Sequence, residues 1–209
     1  MASPAFEVGR ASETEVLLSR LLEKTLRRSS AVNTESLCLI AGQKVWSIRA
    51  DVHLLSADGN LIDASCIAVI AALQHFRRPD TSIEGDIVKV HTLSEREPVP
   101  LSLLHFPYCI TFSFYNVGGV EIVLLDTVLQ EEQLREGCIT ISVNCHGEIC
   151  QIAKLGGLPV EAVLLLQCTS VALVKAKELS AFVTKRLEED AKKRDKGGLL
   201  AELSSENAR

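Results

Sequence analysis

The sequence has few aromatic side chains and lacks the short motifs of nucleotide-binding and hydrolytic sites. Aromatic residues make up 4% of the chain against an apolar fraction of 47%, so the core is expected to be mainly aliphatic. No GxGxxG, GxxxxGK[ST], HExxH or GxSxG pattern occurs, which leaves dinucleotide-binding, P-loop, zincin and serine-hydrolase activities without a motif. The sequence therefore indicates no cofactor.

The seven cysteines do not form a recognisable metal-binding or disulfide pattern. They are odd in number and contain no CxxC pair, whereas a structural zinc site needs clustered ligand pairs. Cys145, His146 and Cys150 could in principle be ligands, but buried reduced thiols are the more common state. A divalent cation could also bind the acidic group between two predicted strands, although surface loops collect such residues routinely; its members are Asp126, Glu131, Glu132 and Glu136. We expect no bound metal.

No stretch is typical of secretion or membrane insertion. The N-terminal MASPAFEVGR lacks an apolar signal-peptide region, and the most apolar segment, 61–76, is too short to cross a bilayer. The net charge of -5 argues against a protein that binds nucleic acid over its whole surface. With reduced thiols, these features predict a cytosolic or nuclear protein.

The most informative stretch, 44–76, predicts a strand, a turn and a helix in succession. Residues 45–55 mix β-branched, aromatic and polar side chains, which predicts a long strand. Asp58-Gly59-Asn60 is a strong turn signal because Gly and Asn tolerate positive φ. From Leu61 onward the chain is apolar on every side of a helical projection, which predicts a buried central helix.

The remaining patterns predict helices at both ends and antiparallel strands between them. Ser12 and Glu15 form a capping box before an apolar helical stripe. A β-hairpin, two more strand pairs and a long helix with Pro159 in its first turn follow. The expected strands are 37–41 with 45–55, 87–91, 108–115 with 120–126, and 138–144 with 148–154. This order predicts an α+β domain over residues 1–190, followed by a polar, flexible tail at 191–209.

One face of the N-terminal helix is basic. Arg20, Lys24, Arg27 and Arg28 fall at i, i+4, i+7 and i+8, and Arg10 lies just upstream. A solvated helix face is the common meaning of such a stripe. A surface that contacts phosphates is the alternative, and charge alone leaves both open.

Five blocks of sequence carry a resemblance that covers the chain from its start to about residue 196. They are MASPAFEVGR, NTESLCLIAGQKVWSIRADVHLLSADGNLIDASCIAVIAAL, HFRRPD, EREPVPLSLLHFPYCITFSF and NCHGEICQI. In this order they resemble the RNase PH-like core ring subunits of the eukaryotic RNA exosome. The resemblance implies the α+β RNase PH fold, which is ribosomal protein S5 domain 2-like, with a long C-terminal helix.

Individual residues decide what the resemblance implies about activity. Active members of the family are phosphorolytic 3′→5′ exoribonucleases that bind phosphate with a Gly-Ser-Arg at the turn entering the central helix. The corresponding residues here are Gly59-Asn60-Leu61, and leucine has neither the charge nor the donors of arginine. The catalytic aspartate is also missing from residues 135–139, where Glu136 is offset. We expect a catalytically silent subunit, with an active phosphate-dependent exoribonuclease as the alternative.

The resemblance also implies partners and RNA contacts. Gly9-Arg10 matches a block that places arginines against RNA, so Arg10 is the first candidate for an RNA contact and Arg20, Arg27 and Arg28 are weaker ones. Expected partners are other RNase PH-like ring subunits, S1/KH cap subunits, an attached nuclease and single-stranded RNA, with no membrane. The expected locations are the nucleus, including the nucleolus, and the cytoplasm.

The chain departs from the family at its start. In the family the MASPAFE block follows an opening block of strands, whereas here it is residues 1–7. We therefore expect an N-terminally truncated fold that leaves strand edges and a hydrophobic face uncovered.

Overall fold

The computed structural model describes residues 12–85, 87–92 and 94–194. Four α-helices, a π-helical turn, a 3₁₀ turn and ten strands form in these ranges. The helical elements are α1 (Glu13–Glu23), the π-turn (Lys24–Arg28), the 3₁₀ turn (Glu35–Leu37), α2 (Leu61–His75), α3 (Leu129–Leu134) and α4 (Ala162–Arg194). The strands are β1 (Cys38–Ile40), β2 (Lys44–Val45), β3 (Arg77–Arg78), β4 (Thr81–Glu84), β5 (Ile87–Val90), β6 (Val99–Pro100), β7 (Tyr108–Val117), β8 (Val120–Leu125), β9 (Gly137–Val143) and β10 (Ile149–Gly157).

The central sheet has four antiparallel strands in the order β10-β9-β7-β8. Phe112 of β7 pairs with Ile139 of β9 on one side and with Leu125 of β8 on the other. Both strand pairs predicted from the sequence in this region are confirmed. The remaining strands form three short two-stranded ladders, β1-β2, β3-β6 and β4-β5.

Helices cover both faces of the sheet and one part of its edge. Successive side chains of a strand point to opposite faces, so Ile110 faces α4 while Cys109 faces the π-turn, where it meets Thr25. The ladder between β7 and β8 reaches only to Phe112. At Thr111, the preceding residue, the backbone N–H donates to a side chain of α2 instead.

The core is mainly aliphatic, as predicted, but its few aromatics are among its largest members. Tyr108 and Phe112 are almost completely buried. On α4, Ala172 and Ala176 are fully buried, and their small side chains allow the helix to approach the sheet closely. Most of the remaining buried side chains come from α2 and the two central strands: Cys66, Val69, Ile70, Cys109, Ile110, Ile139, Ile141 and Val143.

The predicted starts of α1 and α2 are confirmed. The Ser12 hydroxyl accepts from the Glu15 N–H, and the Glu15 carboxylate accepts from the Ser12 N–H, which completes the capping box. Gly59 and Asn60 both have positive φ, at 90° and 47°. The turn predicted at Asp58-Gly59-Asn60 therefore lies directly before the first residue of α2, Leu61.

The long strand predicted over 45–55 is wrong. Regular pairing there is limited to Lys44–Val45, and no ladder includes residues 46–55. A strand needs a neighbour for its backbone hydrogen bonds, and in the described ranges only the short β1 lies beside this segment.

The prediction that α2 is buried on all sides is also wrong. Ala64, Ala68 and Ala72 are exposed. Ala68 and Ala72 line a cavity of about 480 Å³ between α2 and residues 46–52. The described residues cover most of the helix but leave this alanine stripe and His75 at its C-terminal end open.

The C-terminal helix begins later than predicted, and its buried face includes small side chains. Pro159 precedes α4, which starts at Ala162. Cys168 and Val183 are buried in this helix. Three other large apolar residues, Val163, Val171 and Phe182, are 64%, 41% and 56% exposed. The buried face uses alanines, which a pattern of large apolar residues does not include. The helix continues to Arg194, and the rest of the expected tail lies outside the described residues. No helix in the described ranges is long and apolar enough to span a membrane.

Replacing Gly59 with alanine should destabilise the fold strongly. A Cβ at this position would lie 2.7 Å from the Val128 carbonyl carbon and 2.8 Å from the Leu129 nitrogen, both backbone atoms. We expect Gly59→Ala to lower the free energy of unfolding by more than about 2 kcal/mol, measured by urea denaturation.

Gly118→Ala is the matched control, because Gly118 also has positive φ but no atom lies within 4 Å of its added Cβ. Gly118→Ala should lower the free energy of unfolding by about 1 kcal/mol, because it imposes the backbone strain of an alanine at positive φ without a steric clash. Equal losses in the two variants would contradict the close packing at Gly59.

Candidate functional site

The residues at the start of α2, Gly59-Asn60-Leu61, form what we call the α2 turn. Asn60 lies in the left-handed region, and its side-chain Nδ2 donates to Asp126 Oδ1 at 2.8 Å. Its backbone N–H donates to Glu132 Oε1 at 3.2 Å. Both carboxylates come from the β8–β9 connection, residues 126–136. The α2 turn is thus held by acidic groups that lie far away in the sequence.

Two cationic side chains beside this turn, Arg135 and Lys175, are paired with carboxylates. Arg135 Nη1 lies 3.2 Å from Glu132 Oε1, the same oxygen that accepts from Asn60. Lys175 of α4 lies 2.7 Å from Glu178 Oε2. Lys175 and Glu178 line a cavity of about 660 Å³ together with the α2 turn residues Gly59 and Asn60.

Asp63, in the first turn of α2, fixes the helix against the sheet. Its carboxylate accepts from the Thr111 backbone N–H at 2.8 Å and from the Thr111 hydroxyl at 2.7 Å. The same hydroxyl lies 3.0 Å from that of Thr140 on β9. Burial raises the pKa of Asp63 to about 6, although the hydrogen bonds from Thr111 favour the charged form.

This arrangement is unfavourable for binding an anion. The N-terminus of an α-helix attracts negative charge, but here Asp63, Asp126 and Glu132 already surround it. Among the residues that the structure describes, no group of three or more His, Cys, Asp and Glu side chains could hold a metal ion.

The structure does not bring Glu136 to the α2 turn. Glu136 lines a separate cavity of about 200 Å³ with Tyr115 and Glu121. Its backbone N–H donates to Phe114 O at 2.9 Å, at the start of β9. The offset carboxylate considered from the sequence is therefore not part of the same site.

The basic face is present and solvent-exposed. Arg20, Arg27 and Arg28 lie together around a cavity of about 620 Å³, with Lys24 and Glu23 beside them. Arg27 pairs with Glu23 at 3.1 Å, and the Arg27 side chain is 78% exposed. Arg10, the first candidate from the sequence, lies outside the described residues.

The basic face includes a π-turn that the sequence analysis missed. Within it, Thr25 is 1% exposed, and its hydroxyl donates to Gln151 Oε1 of β10 at 3.2 Å. The sequence signal for this buried contact is Thr25 itself, a polar residue between the apolar Leu22 and Leu26. The π-turn interrupts regular helical spacing across 24–28, yet Lys24 still lies with the arginines of this face, as the sequence spacing predicts.

Comparison with known proteins gives two family matches along the chain. Residues 1–79 match domain 1 of the 3′ exoribonuclease family, and residues 105–175 match domain 2 of the same family.

Two curated relatives and one solved structure extend this comparison. The chain is 49% identical over 195 residues to the exosome complex component rrp45 of Schizosaccharomyces pombe, an alignment that covers 93% of this chain and 66% of that protein. It is 46% identical to the exosome complex component RRP45 of Saccharomyces cerevisiae, with 100% and 72% covered. A structure described as the Archaeoglobus fulgidus exosome with RNA bound to the active site matches with a TM-score of 0.70 and 28% identity. That match covers 86% of this chain and 65% of the archaeal chain. The chain thus spans about two thirds of the length of these proteins.

The buried carboxyl group of Asp63 should make stability depend on pH. Its pKa is about 6 in the folded protein against 3.8 for an ordinary aspartate, so the folded state binds this proton more tightly. The protonated carboxyl group therefore adds to the free energy of unfolding. This contribution is fully present below about pH 4 and is lost as the pH rises past about 6. Relative to the wild type, Asp63→Asn should gain about 2 kcal/mol of unfolding free energy between pH 4 and pH 7.5.

Urea denaturation of the wild type and of Asp63→Asn across this pH range measures the difference between their unfolding free energies. The contributions of the other titrating groups cancel in that difference. Asp63→Asn also removes one oxygen that accepts a hydrogen bond from Thr111. This loss lowers the unfolding free energy by an amount that does not vary with pH. Parallel stability curves for the two proteins would contradict the raised pKa.

Proposed function

Because this chain belongs to the 3′ exoribonuclease family, we propose that it is a non-catalytic structural subunit of the RNA exosome core ring. The family match confirms the RNase PH fold that the sequence resemblance implied. The relatives in both yeasts are named exosome complex components. In this role the chain assembles with other RNase PH-like subunits and helps to pass single-stranded RNA to a nuclease, in rRNA maturation and mRNA turnover.

The observation that carries the non-catalytic assignment is the acidic α2 turn. Asn60 and Leu61 stand where a phosphate-binding member has a hydroxyl and a guanidinium. Asn60 is hydrogen-bonded to Asp126 and Glu132, so negative charge already occupies the position where phosphate would bind. An additional anion would meet carboxylates rather than donors.

The basic face supports a role in RNA contact. Arg20, Arg27 and Arg28 are grouped on the surface, and Arg10 precedes them in the chain. Guanidinium groups bind phosphate with little regard to base sequence. This suits a subunit along which many RNAs pass, and several subunits lining one channel would supply the affinity that one acidic chain lacks.

The remaining partners and locations belong to the same proposal. We assign S1/KH cap subunits and a separately attached nuclease as further partners. Action in the nucleus, the nucleolus and the cytoplasm follows from membership of such a complex.

The alternative function is an active phosphate-dependent 3′→5′ exoribonuclease. One observation favours it: the archaeal neighbour at 28% identity is described with RNA bound to an active site. It would require a partner subunit to supply the cations that the α2 turn lacks.

Affinity capture of this chain from cells, followed by mass spectrometry, tests the structural role. We expect RNase PH-like ring subunits and cap subunits in near-equal amounts. The purified assembly without its attached nuclease should then degrade single-stranded RNA no faster with inorganic phosphate than without it. Phosphate-dependent release of nucleoside diphosphates would establish the alternative, and capture of chaperones alone would contradict both.

Reversing the charge of the basic face should weaken RNA binding by the assembled complex. We expect Arg20→Glu, Arg27→Glu and Arg28→Glu together to reduce affinity at least tenfold, because each lost phosphate contact removes a counterion-release contribution. The slope of log K against log salt should become shallower by about 2 for three lost contacts to single-stranded RNA.

The matched control reverses three cations at the end of α4, Lys192, Lys193 and Arg194. It changes the net charge equally, so equal losses in both variants would show that only overall charge matters and would refute the assignment of the basic face.

A further inference from the structure

Glu132 makes a contact that neither the family resemblance nor the composition of the chain predicts. We propose that its carboxylate is an internal ligand, which fills a latent anion site formed by the backbone N–H of Asn60 and the guanidinium of Arg135. This inference rests on the proposed non-catalytic function and names the residue that keeps the α2 turn closed to phosphate.

Two donors converge on one oxygen of Glu132. Oε1 lies 3.2 Å from the Asn60 nitrogen and 3.2 Å from Arg135 Nη1. The side chains of Glu132 and Arg135 are only 22% and 26% exposed, so both are partly shielded from water and the ion pair is stronger than a fully solvated one. A backbone N–H and a guanidinium that share one acceptor are the groups that typically bind a phosphate oxygen.

The position of Glu132 is fixed by the packing around it. The backbone of Gly59 contacts the backbone of residues 127–129 closely. Glu131 Oε2 accepts from the Val128 N–H at 3.0 Å, and the Glu131 carbonyl accepts from the Tyr115 hydroxyl at 2.8 Å. These contacts tie the β8–β9 connection to both the α2 turn and β7, so Glu132 is held against Asn60.

Removing the carboxylate should therefore expose an anion site rather than leave an empty gap. The Asn60 N–H and the Arg135 guanidinium would lose their shared acceptor while the packing around Gly59 stays in place. Asp126 would still lie beside the site through its bond to Asn60. We accordingly expect weak binding of inorganic phosphate, with a dissociation constant of the order of millimolar.

The test titrates inorganic phosphate into the full chain and into its variants at low ionic strength. Binding is followed by the NMR shifts of the Gly59 and Asn60 amides and by the rise in melting temperature. The variants are Glu132→Ala, Glu132→Gln and the double variant Glu132→Ala with Arg135→Leu. Glu121→Ala is the matched control, because it removes one carboxylate from β8, away from the α2 turn. Circular dichroism establishes that each variant is folded, and Glu132→Gln preserves side-chain size if the alanine variant does not fold.

We expect Glu132→Ala to bind phosphate at least about tenfold more tightly than the wild type, with Glu132→Gln between them. The gain should disappear when Arg135 is also replaced, and Glu121→Ala should behave as the wild type. Equal responses in the wild type and in folded Glu132 variants, or a gain that survives Arg135→Leu, would overturn the inference. Saturable binding by the wild type itself, with phosphate-dependent RNA cleavage by its complex, would instead refute the proposed non-catalytic function.

Discussion

The buried hydrogen bonds between Asp63 and Thr111 are the constraint on which the rest of the site depends. β8 stops pairing with β7 at Phe112. The N–H of Thr111, the residue before Phe112 in β7, would therefore be left without an acceptor inside the protein. Asp63 satisfies that N–H and so fixes the first turn of α2 against the sheet. Because the α2 turn immediately precedes this residue, the positions of Asn60 and its carboxylate partners follow from the same contact. The cost is a carboxyl group whose charged form is disfavoured by burial.

Features encoded in a few neighbouring residues could be predicted from the sequence, and features that depend on distant residues could not. The capping box at Ser12 and the turn at Gly59-Asn60 are local, and both form as expected. The strand expected over 45–55 needs a partner that the described residues do not supply, so its composition was misleading. At the site, Asn60 and Glu132 are 72 positions apart, and no periodicity could have paired them. The buried alanines of α4 were missed for a simpler reason, because burial does not require a large side chain.

The distribution of charge reconciles an acidic chain with a role in RNA metabolism. The net charge is -5, yet the arginines of α1 and the π-turn form one exposed group. Several carboxylates lie instead around the α2 turn, where they pair with Arg135 and Lys175 or accept hydrogen bonds. Because the two groups occupy different places on the fold, each produces its own local potential. The net charge of the chain reveals neither the basic face nor the carboxylates around the α2 turn.

The length of α4 has a geometric consequence for the position of its C-terminal end. The helix has 33 residues, and Val183 is its last buried side chain. At 1.5 Å per residue, Arg194 lies about 16 Å further along the axis. In this final section Leu187 still packs against the core from a partly buried position, and ion pairs form along the helix, such as Arg186 with Glu189 and Arg194 with Asp190. The helix therefore acts as a spacer that sets the distance between Val183, its last buried side chain, and Arg194.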